Sequence, residues 1–301
     1  MNNSPLISVI VITYNRKELL KETIDSIINQ TYKNFELIIV DNYSDYDFFS
    51  YIKSFNDDRI KPYQNQNNGI IAVNRNYGIK KAKGEYIAFC DDDDLWKPKK
   101  LLVSLDYMEK YSADIVYHDL YYKNNKGKLK LFNNKTKTRE FNKPVKNDLL
   151  YNGNGINNSS VVIKKDVLLN VGLITEDKNK ISWEDYHTWI KIAENNYIFK
   201  QIPICLGYYR IGNQKKSCDS QIFKNFNNIR LYYSEFIGNR DLWWIHYIKS
   251  KVYFNSKDYK STIAELKKIN YNLISVSVRL KIYYIIFYSR IRSLFFDFKS
   301  I

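Results

Sequence analysis

Tyr86-Ile87-Ala88-Phe89-Cys90-Asp91-Asp92-Asp93-Asp94 decides the fold, because an apolar run that reads as a buried strand ends on four consecutive carboxylates. Adjacent carboxylates repel one another. At the edge of a low-dielectric interior several of them stay ionised only if a cation or hydrogen-bond donors offset their charge. A set of carboxylate oxygen ligands favours Mg2+ or Mn2+ over zinc, and Mg2+ on proteins commonly bridges carboxylates to a substrate phosphate. The competing reading is a solvated acidic turn that caps the next helix, expected over Lys97 to Tyr111.

Upstream the same alternation recurs. Ile7 to Ile12 is a continuous β-branched-rich run, the pattern of a strand covered on both faces, and it ends at Thr13-Tyr14-Asn15. Asn15 and Glu18 have capping-box spacing, and Leu19, Leu20, Thr23, Ile24, Ile27 and Ile28 recur on one face of a helix expected to fade near Gln30. A second strand, Leu37 to Val40, ends at Asp41; then come a helix over Asp47 to Phe55, a weak strand over Arg59 to Tyr63 and a helix from Ile70 to Lys81 that Gly84 stops. Strands alternating with helices predict an α/β fold with a mostly parallel sheet flanked by helices. Such open sheets bind ligands at the carboxyl ends of their strands. Thr13 to Asn15, Asp41 and Asp91 to Asp94 all fall there, so they are expected to converge on one crevice. That expectation favours the site reading of the tetrad over the solvated turn.

Downstream the pattern is less regular. Ala113 to Tyr117 and Ser159 to Ile163 read as strands, Tyr121 to Phe132 as an exposed hairpin, and Asn133 to Lys146 as a polar, mobile stretch. Trp183-Glu184-Asp185 opens a helix whose Tyr186, Trp189, Ile190 and Ala193 form a core-facing stripe; two acidic residues suit a first helical turn without any further role. From about Ser220 the chain turns to helical segments thick with Tyr, Phe, Ile and Lys. Tyr253 to Lys268 resembles a tetratricopeptide-type hairpin, and one such unit predicts a helical appendage rather than an array. Ser275 to Phe296 mixes Arg279, Lys281, Arg290 and Arg292 with Tyr283, Ile285, Ile286, Phe287, Leu294, Phe295 and Phe296. It reads equally as a helix in an anionic membrane interface or as one packed on the rest of the protein with its charges outward.

The 301 residues carry 45% hydrophobic and 26% charged side chains, a globular composition, and a net charge of +15 that asks for a polyanionic partner. Nucleic acid, an acidic membrane and phosphate-bearing substrates all satisfy it. Cys90, Cys205 and Cys218 are odd in number and widely spaced, which predicts a reducing compartment. Leu6 to Val11 is too short for a signal-peptide core and no apolar run is long enough to span a bilayer, so a cytoplasmic protein is expected.

From Pro5 to Arg210 the chain resembles the inverting glycosyltransferases of family 2, with the GT-A (Rossmann-like) fold. Ile7 to Arg16 resembles their opening strand and nucleotide loop, and Phe35 to Ser44 their second strand with its base-reading aspartate. Asn74-Arg75-Asn76-Tyr77-Gly78-Ile79, then Ala82 to Phe89, lead into Asp91-Asp92-Asp93-Asp94-Leu95-Trp96 as in the family's Asp-x-Asp-Asp segment. Val171 to Glu176 and Trp183-Glu184-Asp185-Tyr186 resemble the stretch that carries the catalytic base, and Tyr208-Tyr209-Arg210 the closing strand. Residues 1–216 are then the catalytic domain and 217–301 a helical region outside the resemblance.

The resemblance implies a UDP-hexose or UDP-N-acetylhexosamine donor held by Thr13, Tyr14, Asn15, Asp41, Arg75, Asp91 and Asp92, with Asp41 reading the uracil. It implies Mn2+ or Mg2+ on Asp93 with Asp91, although Asp92 and Asp94 have the same spacing and leave the register open. It implies Asp185 as general base, Glu184 as its orienting neighbour, and Trp183 and Asp94 on the acceptor side. The expected acceptor is a glycan, carried on a lipid diphosphate in O-antigen or capsule synthesis at the inner face of the cytoplasmic membrane. Two other classes stand against this. A sugar-phosphate nucleotidyltransferase would need an early Gly-rich phosphate loop that is missing near Thr13. A nucleic-acid-binding protein suits the charge, yet its phosphates would be repelled by the tetrad, so no nucleic acid is expected.

Overall fold

The computed structural model describes residues 4–124, 135–211 and 219–297. Its strands are β1 (Ile7–Thr13), β2 (Phe35–Asp41), β3 (Ile60–Gln64), β4 (Tyr86–Asp91), β5 (Leu95–Trp96), β6 (Ile115–His118), β7 (Tyr121–Asn124), β8 (Val162–Lys164), β9 (Phe199–Ile202) and β10 (Gly207–Ile211). The helices are α1 (Lys17–Ile28), α2 (Phe48–Lys53), α3 (Ile71–Lys81), α4 (Lys100–Lys110), α5 (Val145–Asn152), α6 (Lys165–Asn170), α7 (Glu184–Glu194), α8 (Asp219–Tyr232), α9 (Ser234–Ile237), α10 (Trp243–Asn255), α11 (Tyr259–Lys267) and α12 (Val276–Asp297).

Seven strands form the main sheet in the order β3-β2-β1-β4-β8-β6-β9, parallel throughout except for β8. The unbroken apolar runs of β1 and β2 have this arrangement as their cause, since both faces are covered. Val9 and Val11 share a core with Leu20, Ile24 and Ile27 of α1. Ile10 points the other way, into α3, where a Cβ on Gly78 would lie 2.8 Å from its Cγ2. A smaller sheet, β5-β10-β7, joins the stretch after the tetrad to Tyr208-Tyr209-Arg210. The fold is therefore the expected mostly parallel α/β sheet with helices following it in the chain.

Local expectations fared unevenly. The Asn15–Glu18 capping box does not form: α1 begins after Arg16, without a side-chain cap. Asn15 instead adopts a left-handed φ of +51°, accepts from the Asp45 amide and donates its own amide to Ser44, so its side chain serves the neighbouring loop. Of the expected hairpin, Tyr121 to Asn124 form β7, and the remainder lies outside the described residues.

Contacts divide the chain into two compact units, residues 1–146 with 155–214, and residues 147–154 with 215–301. The expected boundary near residue 216 thus misses one segment. Residues 147–154 sit with the C-terminal helices because Trp244 donates to the Leu150 carbonyl and packs on Gly153, Trp243 donates to Asn152, and Tyr151 stacks on Phe236. Their spacing to those tryptophans, about ninety residues, hides this from local sequence reading.

Candidate active site

The parallel strands deliver their carboxyl ends to one place. Thr13 closes β1 and donates from Oγ1 to Asp92 Oδ2 at 2.8 Å, and the Asn42 amide, just past β2, donates to the Thr13 carbonyl at 3.0 Å. Thr13, Tyr14, Arg16, Arg75, Asp91, Asp92 and Asp93 all line one cleft of about 400 Å³, together with Asn67, Ile71, Asn74 and Tyr209. A second hollow of about 440 Å³ is lined by Tyr14, Asn42, Tyr43, Gln66, Asn68 and Gly69.

The four aspartates have four different surroundings. Asp91 is the most open, with a side chain 34% exposed; Arg75 Nη2 at 3.0 Å and Asn158 Nδ2 at 3.1 Å both donate to its Oδ1. Asp92 is buried between Thr13 and Arg16, and burial, opposed by the Arg16 charge, pushes its carboxyl up to about 6. Asp93 receives Arg16 Nη1 at 3.3 Å. Asp94 is 1% exposed and turns away: the Arg210 amide donates to its Oδ1 at 3.0 Å, and Thr23 donates to its carbonyl at 2.9 Å. Burial, with the charges of Asp91 and Asp93, raises its carboxyl well above the usual range. Asp94 therefore fastens the turn to α1 and β10, and it is not among the residues lining the cleft.

These donors fit a hard divalent cation. Asp91 and Asp93 both lie on the wall of one cleft, and no His or Cys is among the residues lining it. The Arg16 guanidinium, bridging Asp92 at 2.8 Å and Asp93 at 3.3 Å, shows that this corner draws positive charge. Among the described residues no three His, Cys, Asp or Glu side chains are grouped so as to hold a metal ion by themselves. A Mg2+- or Mn2+-type ion there would complete its shell with substrate oxygens and water.

The helix α7 begins directly after Trp183, and Ser182 before it holds a left-handed φ of +70°, a strained approach for a non-glycine residue. Arg75 is the link. It is buried, gives Nη1 to Glu184 Oε1 at 3.0 Å and Nη2 to Asp91 at 3.0 Å, and so ties the α7 carboxylates to the strand-end carboxylates. Glu184 keeps its second oxygen, Oε2, buried without a hydrogen-bond partner. Asp185 takes a 2.6 Å bond from the Tyr186 amide, and burial and then the Glu184 charge, opposed by Arg75, push its carboxyl up to about 7.

Five further residues expected at the site, Asn15, Asp41, Trp183, Glu184 and Asp185, are not among those lining this cleft; Glu184 and Asp185 are joined to its wall through Arg75. Asp41 is fully buried, accepting from the Ser44 amide and hydroxyl and from Gln64 Nε2 at 3.0 Å, because its loop must turn back through Tyr43 at a φ of +59°. Trp183 is 4% exposed, donates to the Asn179 carbonyl and meets His187 edge-on, so it offers no open ring face for a sugar; the reason is that it packs as the residue preceding α7. Sequence reading gave no role to Arg16, Asn158 or Arg210. Arg16 stands directly after Asn15 in the quoted loop, which was signal enough to suspect it; Asn158 and Arg210 lie far from the tetrad in sequence and gave none.

A mostly parallel sheet whose strand ends gather acidic residues over a cleft is the GT-A architecture of nucleotide-sugar glycosyltransferases. The family model of glycosyl transferase family 2 matches residues 8–172, more than half of the chain. The chain belongs to that family and is a glycosyltransferase. It is 29% identical to the UDP-Glc:alpha-D-GlcNAc-diphosphoundecaprenol beta-1,3-glucosyltransferase of Escherichia coli over 85% of this chain and 97% of that one. Among solved structures it resembles S. aureus TarS 1–349 in complex with UDP, with a TM-score of 0.58, 19% identity, and 88% and 76% of the two chains covered. The mannosyltransferase of Pyrobaculum calidifontis in complex with GDP-Man and Mn2+ is similar at TM-score 0.57 and 18% identity, with 88% and 75% covered. At those identities the likeness speaks for the fold.

Proposed function

We propose that this protein is an inverting, divalent-metal-dependent transferase that moves a hexose or N-acetylhexosamine from a UDP-sugar to a hydroxyl of a lipid-diphosphate-linked glycan, in surface-polysaccharide assembly at the inner membrane face. The observation that carries the reading is Arg75, whose two bonds bring the first turn of α7 and the end of β4 to one site. A leaving diphosphate on the tetrad side and a proton acceptor on the α7 side are what a single displacement at an anomeric carbon requires.

In this reading Thr13 and Tyr14 border the nucleoside, while Arg16 and Arg75 lend positive charge beside the diphosphate. Asp91 and Asp93 hold the cation, and Asp92 orients Arg16. A cation bound there neutralises charge developing on the leaving diphosphate, a contribution of several kcal/mol in comparable enzymes. Asp185 takes the proton from the attacking hydroxyl; general-base assistance commonly contributes about 10²–10⁴ in rate. Glu184, held by Arg75, fixes the position of α7 and raises the basicity of its neighbour. The lipid-diphosphate acceptor and the UDP donor are supported by the name of the Escherichia coli relative, which aligns over nearly its whole length.

The test is nucleotide release from a panel of UDP-, GDP-, TDP- and CMP-sugars with a short-chain lipid-diphosphate acceptor, with Mn2+ or with chelator. Release of UDP from one sugar, lost with chelator and in Asp185→Asn, is expected. Release from a GDP-sugar alone, or chelator-resistant turnover, would overturn the donor or the metal assignment respectively.

A further inference from the structure

The helix α12 buries one face and leaves the opposite one largely exposed, with the Tyr283 ring of that face stacked on Tyr271. Ile282 and Ser289 are fully buried, and Ile282 joins Leu266, Ile269 and Ile274 in a local core against which Val278, Ile285 and Ile286 pack. On the other side Val276, Leu280, Tyr283, Tyr284, Phe287 and Ile291 recur every three or four residues, and each is exposed, from 37% at Ile291 to 67% at Val276. At 100° per residue this stripe covers about a third of the helix circumference. Arg279 and Arg290 fall along one edge of it and Lys281 and Arg292 along the other. From Val276 to Phe296 the helix has no acidic residue.

We infer that this stripe is a docking surface for an anionic lipid bilayer, on which α12 lies parallel to the membrane plane. An apolar strip between two basic borders matches acyl chains below and anionic headgroups at either side. A second copy of the chain is a poor occupant, because a self-complementary pairing would set the basic borders of the two copies against each other. Spanning is excluded by the four basic residues, and among the described residues no helix is long and apolar enough to cross a membrane. The inference deepens the proposed lipid-linked acceptor, which would be met at that surface. The side chains of Leu294, Phe295 and Phe296 lie outside the described residues and carry no part of it.

The test is cosedimentation of the full chain with vesicles of phosphatidylcholine alone or with phosphatidylglycerol, at low and high salt. Wild type should partition onto the anionic vesicles, less so at high salt. The exposed-face pair Leu280→Ser with Phe287→Ser should weaken partitioning by roughly tenfold or more. Lys281→Glu with Arg290→Glu should do so most at low salt. All variants should keep the wild-type thermal midpoint and wild-type transfer to a soluble short-chain acceptor. Equal partitioning of wild type and the Ser pair, or a wild-type dimer that the Ser pair makes monomeric, would overturn the inference. Loss of vesicle binding with soluble transfer retained bears on this surface alone, whereas absence of transfer with vesicle binding intact bears only on the proposed reaction.

Discussion

Asp185, the base in the proposed reaction, is a buried carboxyl that is costly to keep ionised. With its value pushed up to about 7 by burial and by Glu184, against about 4 in an unfolded chain, it holds a proton in the folded state that the unfolded state has lost. Folding stability from this group is therefore full below pH 4 and falls as pH rises towards 7. Asp185→Asn removes the charge and keeps the shape. At pH 8 the variant should be more stable than wild type by on the order of 1–3 kcal/mol in urea denaturation, with the gain shrinking as pH approaches 4. It should bind UDP-sugar almost as wild type does and transfer nothing. A base must be deprotonated to act, so wild-type kcat/KM should climb about tenfold per pH unit up to about pH 7 and then level. An unchanged stability at pH 8, together with a rate limb far from 7, would show that another group takes the proton.

At the scale of elements, the tetrad is a strand end followed by a turn pinned from both sides, and the pins separate its members. Asp93→Ala should abolish metal-dependent UDP binding, measured by calorimetry with and without Mn2+, and leave the fold intact. Asp94→Ala leaves the Arg210 amide without its buried acceptor and should cost about 1–3 kcal/mol of stability. If Asp94→Ala removes the metal response while Asp93→Ala keeps it, the register is shifted by one. The turn from α3 into β4 rests on Gly84, where a Cβ would lie 2.6 Å from the Leu6 carbonyl oxygen and 2.7 Å from the Ser8 amide. Gly84→Ala should therefore lower stability by about 1–3 kcal/mol, seen as a lower urea midpoint, although the residue is outside the cleft. Sequence showed these strands and their ends well, because a strand buried on both faces must be apolar without a break. It showed the roles of the individual aspartates poorly. The partners that distinguish Asp91 from Asp94 are Asn158 and Arg210, which the chain brings in from 67 and 116 residues away. Asn15 misled for a related reason: a side chain at cap spacing can equally serve a nearby loop, and only the positive φ shows which it does.

At the scale of the whole molecule, the boundary between the units does not follow the chain. Leu149 and Leu150 are fully buried, and the segment around them is held by Trp243 and Trp244 of α10 and by Phe236 of α9. Periodicity locates helices but carries no information about a tryptophan ninety residues on, so α5 could not be assigned to its unit from sequence. The consequence is testable by ending the chain after Lys216, the boundary that sequence alone suggests. Such a chain keeps every residue of the cleft and loses every one of those partners. The Trp244 bond to the Leu150 carbonyl and the Trp243 bond to Asn152 are lost with them, about 0.5–1.5 kcal/mol each. The shortened chain should bind UDP less tightly only in proportion to its unfolded fraction, and limited proteolysis should cut it first within residues 147–154. If it resists protease there and melts as the full chain does, residues 147–154 are held by something other than the C-terminal helices. In the full chain Trp244→Ala should reproduce the same cleavage pattern, because it withdraws the ring on which Gly153 packs and the donor to the Leu150 carbonyl in a single change.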